Sequence, residues 1–223
     1  MKKDAKGKHK ATKTKQSRQN KRADTVPKIR MPLVNTVVMT VKNPSKSTEM
    51  LCKQLKRIFS PNCLAKLEKN PKIQDVVDFS DQLLVKQIVH IAENEVKIVH
   101  MPKGPTYTFS ILEYFDNYKN YPADLYKSPA FITLEGKCEY KHIFESLGKN
   151  EAEFQRSLHF YVKDDIVFIR HYCISTENLD DKFKVALKEI GPRLKLKLKN
   201  IKDGIFPELK VRKTYGYRRP LDK

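Results

Sequence analysis

The sequence predicts a mixed α/β (α+β) fold of two duplicated halves, each a mixed β-sheet with packed helices. Three observations carry this expectation. Short β-branched runs alternate with apolar residues at helical spacing. Two Gly-Pro corners, Gly104-Pro105 and Gly191-Pro192, each launch a run of strict period two. The two corners align over eight residues at a constant offset of 87. With 223 residues, 39% of them apolar, the chain can build one sizeable core or two small halves sharing one.

Taken in order, residues 26–206 read as the folded domain, in halves of about 26–122 and 123–206. Asn35 to Val41 is β-branched and reads as a strand. Ser47 is placed to cap a helix carrying Leu51, Leu55, Ile58 and Phe59 on one stripe. Ser60-Pro61 has the cap-plus-proline form of a helix start, with Leu64 and Leu67 facing in. Ile73 to Phe79, Leu83 to Ile91 and Val96 to Met101 read as strands of a meander, followed by a strand from Thr106 to Tyr114. In the second half, Ala130 to Leu134 is strand-like, and Tyr140, Ile143, Phe144 and Leu147 have helical spacing. Leu158 to Val162 and Ile166 to Tyr172 predict a hairpin around Lys163-Asp164-Asp165. Asn178 is placed to cap a helix bearing Phe183, Leu187 and Ile190, which has no counterpart before Gly104. After each corner, Tyr107, Phe109 and Ile111 match Leu194, Leu196 and Leu198 on the buried face. The helices are expected on one side of the sheet, leaving an edge and a helical face for partners.

Charge is unevenly distributed. The chain carries a net +19, of which residues 1–30 hold +10 and residues 193–223 hold +8, leaving +1 for 31–192. Residues 1–25 have almost no large apolar side chain and read as a disordered basic arm. Residues 207–223 read as a basic tail. No apolar run approaches the roughly 20 residues that span a bilayer, and the first 30 residues lack the apolar core of a secretory signal. Four Cys without paired spacing, at 52, 63, 138 and 173, argue against a disulfide scaffold or a zinc ribbon and for a reducing compartment. A nucleic acid is the partner that such a charge balance suggests first.

Catalytic signatures are missing: no phosphate-binding Gly loop, no Gly-x-Ser-x-Gly and no His-Glu-x-x-His. His159 and His171 are expected to face each other across the hairpin, without further metal ligands at sensible spacing. The expectation is a protein that is not an enzyme and takes no cofactor or metal.

Met101-Pro102-Lys103-Gly104-Pro105-Thr106 with Thr108-Phe109, and Glu189-Ile190-Gly191-Pro192-Arg193 with its Leu alternation, resemble the two signatures of the Brix domain. Within that family the chain is similar to the Peter Pan branch, through Val26-Pro27-Lys28, the Pro61 to Leu67 segment, Lys72 to Val77 and Glu189-Ile190. The resemblance implies a ribosome-assembly factor. Its fold would be two halves akin to the anticodon-binding domain of class II aminoacyl-tRNA synthetases. It would bind precursor ribosomal RNA of the large (60S) subunit, other assembly factors and ribosomal proteins in the nucleolus. No membrane and no small-molecule substrate are implied. Ser175 to Lys188 stands where the family usually has a long insertion, and the charged C-terminal extension is short. The alternatives are a Brix protein of the small-subunit processome, or a protein-binding adaptor whose basic ends are only targeting signals.

Three groups of residues are candidates for RNA contact. Lys195, Lys197 and Lys199 alternate with leucines, so period two spaces them about 6.5–7 Å apart on one face, near the phosphate repeat of RNA. Arg193 and Lys202 extend this comb, and Lys103 occupies the first corner. The competing reading of the comb is an edge strand guarded by lysines. Arg212, Lys213, Tyr215, Tyr217, Arg218 and Arg219 interleave cations with rings in the tail. Lys8, Lys10, Lys13, Lys15, Arg18, Lys21 and Arg22 form the arm, which would bind the phosphate backbone by counterion release. Mostly phosphate contacts imply that RNA shape and protein partners set the target.

Overall fold

A computed structural model describes residues 35–64, 71–116, 121–145, 154–179 and 182–208. All of them belong to one compact unit, Pro32–Lys223. The predicted arm, most of the predicted tail, Leu67 and Leu147 lie outside the described residues.

Strand β1 (Thr36–Thr40) leads to helix α1 (Lys46–Ile58). The cap of α1 is Ser45 rather than Ser47. The Ser45 side chain accepts a hydrogen bond from the Thr48 N–H at 3.3 Å, satisfying a donor that the first turn leaves unpaired. Leu51, Leu55 and Ile58 are buried as expected. The described residues after Pro61, 61–64, turn back instead of starting a helix, and Cys63 bridges to Thr36; the rest of the expected helix lies outside the described residues. Ile73 to Phe79 is not a strand but the body of helix α2 (Ile73–Gln82). Gln74, Asp75 and Asp78 break the alternation a strand would need. Val76 and Ser80, four apart, form the buried stripe, and Gln74 Nε2 donates to Asp78 Oδ1 at 2.9 Å. Strand β2 (Gln87–Ile91) therefore starts later than expected, after the Leu83-Leu84 turn.

Strands β3 (Glu95–His100) and β4 (Thr106–Phe115) complete the first half. The second half runs β5 (Phe131–Glu135), α3 (Lys141–Glu145), β6 (Arg156–Lys163), β7 (Ile166–Leu179), β8 (Lys182–Glu189) and β9 (Arg193–Lys202). The β6–β7 turn has Asp164 and Asp165 at φ 50° and 60°, the left-handed pair that a tight hairpin requires. The segment from Asn178 is a strand, not a helix. Phe183, Val185 and Leu187 alternate along β8, which pairs antiparallel with the far half of β7.

The sheet order is β1-β2-β3-β4-β9-β7-β6-β5, with β8 pairing the later part of β7 along the same edge that β9 pairs earlier. Each half contributes a parallel pair (β1 with β2, β5 with β6) followed by two antiparallel pairings. The halves meet where β4 pairs with β9. Phe109 lies opposite Leu198, Ile111 opposite Leu196, and Ser110 opposite Lys197. Shifting any of these residues by 87 returns the same set of pairs, so the two corner strands are joined about a local two-fold. Before the corners the matching offset is 71, from His100 to His171, with Gly104 N–H donating to His100 O and Ile190 N–H to His171 O, both at 2.8 Å. The sixteen-residue difference is the β7–β8 excursion, which replaces the expected extra helix. Gly104 has φ +91°, and a Cβ there would sit 2.5 Å from the Gly204 carbonyl oxygen, so the corner admits only glycine.

One core joins the halves. Leu51, Leu55 and Ile58 of α1 pack with Val89, Ile98 and Phe109 of the first half, and with Phe144, Phe160, Val167, Leu194 and Leu196 of the second. Each large side chain of this kind contributes about 1.5–3 kcal/mol on burial. The predicted placement of Tyr107, Phe109, Leu194 and Leu196 inside is correct. Helices on one side only is not. In the first half, Val37, Ile88 and Val99 point to the opposite face and pack with Val76 of α2 and with Phe206.

Candidate nucleic-acid interface

In the second half that opposite face carries different residues. The register aligns Val37, Ile88 and Val99 with Thr133, His159 and Arg170, so the positions that bury α2 in one half are polar in the other. Among the described residues no helix covers this face. Alternation along β6 leaves His159 and Tyr161 half-buried on it, and alternation along β7 leaves Phe168 half-buried and Arg170 exposed.

Cross-strand register sets out the rows. One runs Glu135, Tyr161, Phe168, Lys195, Glu113 across β5, β6, β7, β9 and β4. The next holds Thr133, His159 and Arg170, with Arg193 opposite Phe115. Another places Lys163, Ile166, Lys197 and Ser110. The Tyr161 and Phe168 ring centroids lie 5.8 Å apart, and the Lys195 ammonium stands 5.6 Å from the centroid of Phe168. A shallow cavity of about 140 Å³ opens between Phe115, Phe168, Arg170, Arg193 and Lys195.

The comb of β9 is thus on the solvent face, as period two predicts. Its even spacing is interrupted at Lys199, where the β4–β9 register shifts. Its charge is also partly neutralised. Arg193 donates to both carboxylate oxygens of Glu189 at 2.5 Å, and this pairing holds the Glu189 carboxyl below its ordinary range. Lys195 reaches Glu113 at 3.0 Å, Lys199 reaches Glu95 at 2.5 Å and Lys202 reaches Glu208 at 3.3 Å. Lys197 has no carboxylate partner among the described residues. The lysine pairs are largely solvent-exposed and weak, so a phosphate can compete for those cations. The edge-strand reading holds for only part of the comb. Residues 194–197 are flanked by β4 and β7, whereas Lys199 to Lys202 run past the β6–β7 turn with β4 on one side only.

Lys103 is exposed in the β3–β4 turn, at the Lys202 end of the seam, a strand length of about 30 Å from the Arg193 end. The structure does not bring it to the Arg170 and Arg193 end of the comb. Arg212, Lys213, Tyr215, Tyr217, Arg218 and Arg219, and Lys8, Lys10, Lys13, Lys15, Arg18, Lys21 and Arg22, lie outside the described residues. His159 and His171 do not face each other. His159 bonds Thr133 Oγ1 at 2.8 Å on the open face, and His171 is fully buried with Nδ1 3.0 Å from the Gly191 carbonyl. Sequence reasoning missed Tyr161, Phe168 and Arg170. The signal was present in the alternation of 158–162 and 166–172, whose outward positions carry rings and cations instead of ordinary polar residues.

The sequence model of the Brix domain matches residues 41–200. The chain belongs to the Brix family. A Drosophila melanogaster protein named probable ribosome production factor 1 is 25% identical over 178 residues, covering 74% of this chain and 44% of that protein. A Brix domain-containing protein of Caenorhabditis elegans is 26% identical over 188 residues, covering 78% of this chain and 62% of that protein. The chain therefore spans roughly half the length of these Brix relatives. A solved structure, a probable ribosomal biogenesis protein of Aeropyrum pernix, superposes with a TM-score of 0.50 at 11% identity, over 73% of this chain and 95% of that one. It shares the fold. The Peter Pan resemblance rests on the sequence motifs alone.

Proposed function

We propose that this Brix chain is a non-catalytic ribosome-biogenesis factor. It holds precursor ribosomal RNA of the large subunit and docks assembly factors during early 60S maturation in the nucleolus. The observation that carries this reading is the sheet face around β9, uncovered among the described residues, where Arg170, Arg193, Lys195, Lys197 and Lys199 converge from two strands. Family membership and the ribosome production name of the Drosophila relative support it.

Salt-dependent RNA binding by the full chain tests it. The logarithm of affinity should fall linearly with the logarithm of salt concentration, and a slope near zero would leave only the adaptor reading. Changing Lys195, Lys197 and Lys199 together to Gln should weaken binding and reduce the slope by about 1–3 with the fold intact. Depletion in cells should lower large-subunit precursor RNA. Co-sedimentation with small-subunit precursors alone would move the chain to the processome.

A further inference from the structure

We infer that the open face of the second half is a stacking platform for unpaired RNA bases, built on Tyr161 and Phe168 and gripped by Arg170, Arg193, Lys195 and Lys197. This rests on the RNA-binding reading above and specifies its ligand as single-stranded RNA.

Four observations lead there. First, aromatic rings on a sheet face away from the core bury little surface and need another reason to be there. Tyr161 and Phe168 are half-buried, and Phe115 is 59% exposed. Second, the rings are neighbours across one β6–β7 pair, 5.8 Å apart at 37° to each other, so a base laid on one can extend over the other. Third, cations border them on the β9 side. Lys195 and Lys197 stand opposite Phe168 and Ile166, Arg170 follows Phe168 by two residues on the same face, and Arg193 lines the same cavity. Rings flanked by cations suit a chain of π-faces joined by phosphates, because every base offers a face and stacking tolerates any sequence. Fourth, among the described residues the face carries no helix or ribbon able to enter a groove, and the deep narrow major groove of A-form RNA would keep its bases from the rings.

The test uses the full chain and octaribonucleotides carrying one 2-aminopurine, whose fluorescence is quenched by stacking. The unpaired oligomer should bind with quenching and more tightly than the same sequence in a duplex. Tyr161→Leu and Phe168→Leu keep apolar volume and remove the ring. Each should weaken single-strand binding about tenfold and lose the quenching, while the salt slope stays that of the unaltered chain. Arg170→Gln should instead lower the slope. Salt-dependent binding that the leucine variants leave unchanged, or that favours duplex, overturns the platform and spares the RNA-binding reading. No RNA binding at any salt overturns both. If a leucine variant does not fold, photo-crosslinking of the unaltered chain decides: adducts on Tyr161 or Phe168 support the platform, and adducts confined to other residues refute it.

Discussion

Arg156 is fully buried, yet none of its partners is a carboxylate among the described residues. Its guanidinium donates from Nε to the Ser128 carbonyl, from Nη1 to those of Arg57 and Ile58, each at 3.0 Å, and from Nη2 to that of Ser60. Two of these carbonyls, Arg57 and Ile58, end α1, where the helix leaves acceptors unpaired and its dipole is negative, and that of Ser60 lies just past the cap. The residue starts β6, so it ties the second half to a helix of the first. Burial lowers its pKa to about 10, which still leaves it charged at neutral pH. Arg156→Met should cost about 3–5 kcal/mol, since removing the donor strands several buried acceptors at once. A urea unfolding midpoint measures this. A loss under 1 kcal/mol would mean that water replaces the side chain. Nothing in the local sequence marks Arg156, because its partners are 28 to 99 residues away.

At the scale of elements, the hairpin of β7 and β8 shows how one apolar spacing supports two readings. Phe183, Leu187 and Ile190 fit a helical stripe, while Phe183, Val185 and Leu187 fit a strand. Pairing with the extended end of β7 decides for the strand. Val185 and Leu187 are each 60% exposed in it. Val185→Thr with Leu187→Thr should therefore shift the unfolding free energy by no more than about 0.5 kcal/mol, whereas Leu196→Ala in the core should cost about 2–5 kcal/mol. A large loss from the threonine pair would show that this segment packs like the predicted helix. Helix α2 stands where a strand is expected for a related reason. A seven-residue segment with four apolar positions is too short for its period to be decisive, and cover for the second face of the sheet is a tertiary requirement.

For the molecule as a whole, acid should be destabilising well above the carboxylate range. Burial is the main cause holding His90 at about 4 and His171 at about 3, against an ordinary value of 6.5, with Lys97 and Arg156 respectively adding to it. Both imidazoles are neutral in the fold and take protons only on unfolding. Stability from them is complete above pH 6.5 and is lost as pH falls toward 4 and 3. With two protons bound near pH 5, the slope approaches about 2.7 kcal/mol per pH unit. Unfolding free energies measured from pH 7.5 to 5 should fall accordingly, and His90→Gln should about halve the slope. A flat profile would place both rings in contact with water.

The two Gly-Pro corners and the period-two strands behind them are local, and the sequence by itself determined them. It likewise determined the duplication and the family, because each is carried by short motifs whose own residues lie within a few positions of one another. Only the tertiary structure decided which outward positions stay open and which cations are already matched. Lys195 meets Glu113 across 82 residues and Lys199 meets Glu95 across 104. The rings of Tyr161 and Phe168 come beside Lys195 only through the β7–β9 pairing. Cross-strand neighbours are set by which strands pair and in what register, and that choice is made by burying both halves around one core.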